Sequence, residues 1–415
     1  MIAAVNVLIL GLLGGNVLLA LFRPRRGVAA YVLFALVAPH FHLGGAAISY
    51  EIMGFLPVGF AAFYRNGFRA HLKAEHWLWI VYFILAIAAT LLSVMRFGSE
   101  VKWLFIFGWG RALFLFVLIS TMLNRESIFR ALSTALIINL IVAAAQLFVP
   151  GAVEVTYALY AKESQTVLAG YLERGFIPRA TGTLGSPVNL GAFVLLTFAV
   201  AYERILRCGY QNLPVLVALA SVMTGMLALS KSSILGIPLI LILGMVFRFG
   251  QKLVRGFRIA PRRLLGATTF ATIGGTGVWY LIRMLNEAGF GVLRYLRFVL
   301  DPIEAFETRY SGTEATTLHR TIDVVESNWF TGLGFTAPYN EFLGDSTYVL
   351  ALHTIGVWGV VIILAVYFAL AYRSFQRGEL TMLLPLVALG MTGFAIPTFF
   401  DCLGVIVISY AILNH

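Results

Sequence analysis

Residues 2–26 read IAAVNVLILGLLGGNVLLALFRPRR. Residues 2–22 hold no charged side chain, and about 20 apolar residues are what a helix needs to cross the hydrocarbon core. Arg23, Arg25 and Arg26 follow at once, and basic residues flanking a span favour the cytoplasmic side. No basic residue precedes the run and no A-x-A site follows it, so it reads as a retained anchor rather than a cleavable leader. This stretch therefore predicts a membrane protein whose first span runs from outside to inside.

The pattern recurs along the chain. Apolar runs at approximately 27–42, 44–64, 77–95, 101–123, 127–149, 187–205, 213–229, 232–247, 264–284, 346–371, 380–398 and 402–414 join the first. Together they predict an all-α fold, a polytopic membrane helix bundle of about 12–13 spans forming a single integral-membrane domain over 1–415. Of the 415 residues 60% are hydrophobic and 12% charged, and a mean hydropathy of +0.88 excludes a soluble domain.

In a soluble protein a formal charge of +11 would point to nucleic acid, but here its placement points to orientation instead. Arg65, Arg69 and Lys73 follow the third span, Arg125 and Arg130 the fifth, Arg204 and Arg207 the seventh, and Arg373 and Arg377 the eleventh. Six basic residues and no acid lie between Arg248 and Arg263, after the ninth. One orientation places all of these inside. It leaves two long connections outside, 150–186 and the larger 285–345, the latter expected to carry short surface helices. All four Asp residues lie at or beyond position 301, and Asp301, Asp323 and Asp345 belong to that second loop. Loops of that length inside a compact protein are usually functional. Cys208 in an inner turn and Cys402 in the last span are not expected to form a disulfide. There is no clear inverted repeat of the kind many carriers show.

Several chemistries are missing. The chain has no G-x-x-x-x-G-K-[ST] phosphate loop and no HExxH or CxxC metal set. The apolar runs hold few ionisable residues, whereas proton-coupled pumps need acids at mid-membrane. The chemistry is thus expected at the outer surface, without metal or cofactor. The candidates there are Arg179 in "IPRATGTLGSPVNLGAF" and Arg309 and Arg320 in "RYSGTEATTLHRTIDVVESNWFTGLGF". Arginine's planar fork takes phosphate bidentately and stays charged at any physiological pH. Each can also snorkel to lipid phosphates or pair with loop acids such as Glu307 and Asp323. His319 is a candidate proton acceptor at neutral pH, or a surface histidine with no role. Val324, Val325 and Trp329 are spaced for one face of a short surface helix, and "TGLGF" then turns the chain on its glycines.

Asp345 precedes the eleventh span, where it either caps the helix or accepts a proton from a sugar hydroxyl. Tyr348, one turn on, is placed to bind sugar or to sit at the interface. His353 lies deeper, as a helix-packing hydrogen-bonder or a binding residue. Ser186 and Pro187 fit an N-cap and first helical position, with Asn189 beside them. Lys231, in the outer turn "SKSS", is placed to meet a lipid phosphate.

In layout, and in three short stretches, the chain resembles the O-antigen polymerase and ligase superfamily of bacterial integral-membrane glycosyltransferases. "RATGTLGSPVNLGAF" is similar to the family's arginine followed by Pro-x-Asn entering a helix. "LHRTIDVVESNWFTGLGF" is similar to its arginine, amphipathic helix and Gly-x-Gly turn. "DSTYVLALHTIGVWG" is similar to its polar helix start and Gly-x-x-Gly after the large loop. Ligases of the family commonly open that helix with a His-Asn pair; Asp345 and Ser346 stand there instead, which favours the polymerase branch.

The resemblance implies a bacterial inner-membrane enzyme with its active site facing the periplasm. Its donor is a growing glycan on undecaprenyl pyrophosphate, and its acceptor a single lipid-linked repeat unit. It also implies membrane lipid and a chain-length regulator protein as partners. Without a metal, arginines must meet the charge on the leaving pyrophosphate. Arg179, Arg309, Arg320, Asp345 and His319 are the catalytic candidates, with Tyr348, Lys231, Asn189 and His353 for substrate binding. The alternatives are a ligase acting on lipid A core or another acceptor, and a flippase or exporter without chemistry.

Overall fold

The structure, a computed structural model, describes residues 2–43, 46–70, 72–160, 179–254, 328–336, 346–394, 396 and 398–413. The described chain is mostly helical. Its helices are α1 Ile2–Phe22, α2 Pro24–Val37, α3 Tyr50–Arg65, α4 Ala74–Phe97, α5 Trp103–Met122, α6 Arg125–Phe148, α7 Ala152–Tyr160, α8 Pro187–Cys208, α9 Asn212–Ala228 and α10 Lys231–Val254, followed by α11 Thr347–Ile355, α12 Val357–Gln376, α13 Leu383–Gly393 and α14 Cys402–Ile412. Seven of them (α1, α4, α5, α6, α8, α10 and α12) are long and apolar enough to cross a membrane. The chain is therefore a multi-pass membrane protein of helical-bundle type. The expected span 264–284 and most of the loop 285–345, with Arg309, His319, Arg320 and Asp345, lie outside the described residues.

Four expected spans are corrected. The run 27–42 becomes α2, which starts early because Pro24 occupies its first turn and stops at Val37 because Pro39 forces Ala38 into extended backbone. The start of the run 44–64 goes partly into a two-stranded antiparallel hairpin, Phe41–Leu43 with Ala46–Ile48. The runs 380–398 and 402–414 give α13 and α14, of 11 residues each. At 1.5 Å per residue each is about 16 Å long, roughly half of the hydrocarbon core. They rise from one end of the bundle and return to it as a re-entrant hairpin. At its tip the Phe399 ring lies 5.3 Å from Trp79 and 5.7 Å from Tyr367, which is halfway along α12.

The run 346–371 is likewise not one helix. Gly356 adopts φ 63, ψ −150 and splits it into α11 and α12, which fold back on each other. A break strands carbonyls at one helix end and amides at the next, and in an apolar setting these must be paired inside the protein. The turn 328–336 supplies the partners. Leu333 N donates to His353 O (2.7 Å), Gly334 N to Thr354 O (2.8 Å), and Val357 N to Trp329 O (2.7 Å). Gly332 (φ 66) and Gly334 (φ 69) make that turn possible, as "TGLGF" predicts.

Arg125, Arg204, Arg207, Arg373 and Lys73, all expected inside, lie toward one end of the bundle. Arg125 Nη1 lies 3.5 Å from Glu379 Oε2, Arg207 Nε 2.7 Å from Glu203 Oε1, and Arg204 Nη2 2.5 Å from Glu126 Oε2. Lys73 Nζ donates to Ile412 O (3.0 Å) and Arg125 Nε to Tyr410 O (3.2 Å), so cations close the C-terminal end of α14, where the helix dipole favours them. Burial, and then the neighbouring Arg373 charge, holds the Lys73 amine below the usual lysine range.

Arg373 Nη2 lies 3.0 Å from Glu75 Oε1, and the Glu75 side chain is wholly buried. Arg373→Ala strands that carboxylate and is expected to cost about 3–5 kcal/mol. Adding Glu75→Leu should recover most of it, read as the melting temperature of the purified protein.

Candidate functional site

Two segments dip into the opposite end of the bundle, and both come from stretches the sequence singles out. The first is 179–185. Thr181, Gly182 and Thr183 are buried, and α6 holds their backbone. Gln146 Oε1 accepts from Thr181 N (2.9 Å) and Gly182 N (3.1 Å), and Asn139 Oδ1 accepts from Thr183 N (2.9 Å). Thr183 Oγ1 donates to Leu36 O at the end of α2 (2.8 Å). Asn139 and Gln146 are therefore the polar partners that let irregular backbone enter an apolar bundle.

This inserted turn positions Arg179. Its guanidinium donates through Nε to Ala228 O (3.2 Å) and through Nη2 to Leu229 O (3.0 Å), at the C-terminal end of α9. Unpaired carbonyls and the negative end of the helix dipole make that a natural seat for a cation. Ser186 then caps α8, its hydroxyl accepting from Val188 N (3.3 Å), with Pro187 in the first turn as the sequence predicts. Asn189 is exposed near the N-terminus of α8, and Lys231 is exposed at the N-terminus of α10, next to Leu229 and Ser230. Arg179, Asn189 and Lys231 thus share one end of the α8–α9–α10 group.

The second inserted segment is 328–336, docked on the break at Gly356. Besides its bonds to α11 and α12, Phe335 N donates to Thr90 Oγ1 (2.7 Å) and Phe335 O accepts from Lys102 N (2.8 Å). Phe335 packs on Trp109 and Phe83, while Trp329 and Phe330 remain exposed. His353 is buried, and its own carbonyl and that of Thr354 accept the turn's bonds.

Tyr348 is half-buried. Its hydroxyl donates to Gly390 O (3.2 Å) on α13 and bonds Tyr367 on α12. These bonds place the start of α11 beside the re-entrant tip, halfway down α12, rather than at the bundle's outer rim. Ser346 donates to Gly393 O (3.2 Å) and Thr347 to Ile396 O (3.2 Å) on the same tip. The N-cap position of α11 is Ser346, whose side chain makes no capping hydrogen bond, and Asp345 lies outside the described residues.

One pair was missed by the sequence reading. Arg111, nine residues into α5, faces Glu51 of α3 with Nε 3.2 Å from Oε1. Its signal was a charge inside an otherwise apolar run, which marks function in a membrane helix by default.

No protein-family model, no curated protein and no solved structure matches this chain. Among the described residues no group of three or more His, Cys, Asp or Glu is placed to hold a metal ion. What the α8–α9–α10 end offers is cationic, the Arg179 guanidinium at the end of α9 and the exposed Lys231, while the Thr347 and Tyr348 hydroxyls are engaged on the re-entrant tip. A guanidinium and an ammonium suit the binding of phosphate oxygens.

Proposed function

We propose that the protein is a polymerase of lipid-linked oligosaccharide repeat units, working at the outer face of a bacterial inner membrane. The growing glycan leaves undecaprenyl pyrophosphate as its anomeric carbon is attacked by a hydroxyl of the incoming lipid-linked unit. The observation that supports this best is that two separate turns, 179–185 and 328–336, are inserted among the helices and held by buried hydrogen bonds. These turns belong to the stretches that resemble the O-antigen polymerase and ligase superfamily. Arginines at 179, 309 and 320 would stabilise the departing pyrophosphate, and positioning of two membrane-held substrates would lower much of the remaining barrier.

A second reading has its own observation. Discontinuous helices such as α11–α12 and α13–α14 are also how carriers build sites at the membrane midplane, which favours an exporter. The surface glycan of a deletion strain separates the readings. Loss of a polymerase leaves single repeat units on the surface lipid, loss of a ligase leaves none, and loss of an exporter traps units inside.

Orientation is tested separately, in a Cys208→Ser background because native Cys208 is exposed. A cysteine at Gly312 should react with an impermeant thiol reagent in intact, outer-membrane-permeabilised cells, and one at Gly256 only after lysis. The reverse pattern removes the proposal.

Asp345, read from the sequence as either a helix cap or a proton acceptor, is also open to test. Asp345→Asn keeps the side chain's size and hydrogen bonding but cannot take a proton. If Asp345 is the base, the Asn variant should lose the polymer ladder at matched expression while His319→Ala keeps it. A normal ladder from Asp345→Asn shifts that role to His319.

A further inference from the structure

The Arg111–Glu51 pair lies where charge is most costly. Arg111 sits nine residues into the twenty of α5, about 12 Å below its outer end, and α5 is one of the helices able to span a membrane. Neither side chain is sealed, at 14% and 18% exposure. Their contact is ionic but loosely made: Arg111 Nε and Glu51 Oε1 are 3.2 Å apart without the alignment of a hydrogen bond. No described residue accepts a hydrogen bond from the Nη atoms of Arg111. A buried pair with such geometry recovers little of its desolvation cost. Packing alone therefore gives this chain little reason to keep the two charges.

Polar groups from other elements lie close to the pair. Tyr31 donates to Glu51 O (2.9 Å). Cys402, at the start of α14, lies within electrostatic range of both charges. The half-helix α14 begins there, with exposed Asp401 just before it, so charged and polar groups from α2, α3, α5 and the re-entrant hairpin gather at one depth.

We propose that Arg111 is an intramembrane seat for a phosphate-bearing headgroup, with Glu51 as the counter-charge that holds the guanidinium until the phosphate displaces it. Arginine's two Nη groups match two phosphate oxygens, and among the described residues none takes a hydrogen bond from them. The proposal rests on the lipid-pyrophosphate reading for the identity of the headgroup, not for the anion chemistry.

Purified full-length protein in nanodiscs is titrated with undecaprenyl pyrophosphate and, separately, with inorganic pyrophosphate. Arg111→Gln should weaken binding of the lipid about tenfold or more, with Arg111→Lys in between. Glu51→Gln, which removes the competing carboxylate, should bind as tightly as the parent or tighter. Added lipid should also raise its melting temperature more than the parent's, because binding to the folded state is stabilising.

Equal affinity in the parent, Arg111→Gln and Glu51→Gln proteins overturns the proposal. So does equal loss of affinity and stability in both variants, which is the behaviour of a purely structural pair. Arg111-dependent binding of inorganic pyrophosphate without binding of the lipid sustains the anion seat and overturns the lipid-linked substrate. Tight lipid binding that ignores Arg111 does the opposite.

Discussion

Arg179→Ala, Arg309→Ala and Arg320→Ala should each cut long-chain glycan about a hundredfold or more while the protein still inserts, because a lost donor to developing charge costs ~3–4 kcal/mol. Arg179 allows the sharpest version of this test. Two of its bonds go to the Ala228 and Leu229 carbonyls, so a purely structural arginine would show its loss in stability. Arg179→Lys keeps the charge at the end of α9 but not the fork. It should hold the melting temperature near that of the parent and restore chain length only in part. Normal chain lengths in all three alanine variants would remove arginine from the leaving-group step.

Gly334→Ala should destabilise the protein severely. Gly334 has φ 69, and a Cβ there would run into the backbone and hydroxyl of Thr90. Left-handed strain and overpacking together cost about 2–5 kcal/mol, a large share of the ~5–15 kcal/mol that holds a typical protein folded. The same change would lift the turn 328–336 from the break at Gly356 and strand the His353 and Thr354 carbonyls. Gly67→Ala is the control: φ there is 64, but nothing lies within 4 Å. It should cost only the backbone strain, about 1–2 kcal/mol. Melting temperatures and the glycan ladder, measured side by side, check both.

The sequence shows most of the bundle, because an apolar run between arginines has few ways to fold. Residues 2–22 coincide with α1, and the runs ending at Arg125 and Arg207 mark α5 and α8 closely. The bundle's interruptions are harder to read. Hydropathy averages over a window, so "TYVLALHTIGVWGVVIILAVYF" looks like one span. Only the left-handed Gly356, paired with a turn twenty residues upstream, divides it. The half-helices α13 and α14 are equally apolar whether they cross the membrane or turn back within it. Their depth follows from Phe399 packing on Trp79 and Tyr367, contacts that no local pattern encodes.

At the site, the cap at Ser186 and the glycines of "TGLGF" are local chemistry and were legible. The start of α11 at Ser346 is a boundary that the sequence leaves open to within a residue or so. Asn139, Gln146, Glu51 and Arg111 acquire meaning only from neighbours distant in the chain.

The most direct measurement is reconstitution. Purified full-length protein in liposomes is given undecaprenyl-pyrophosphate-linked repeat units, with a metal chelator present, and both glycan length and free undecaprenyl pyrophosphate are followed. The account predicts a ladder of lengthening lipid-linked glycan, one undecaprenyl pyrophosphate released per unit added, and no loss on chelation. Units that stay single, whether or not they move across the bilayer, would contradict it.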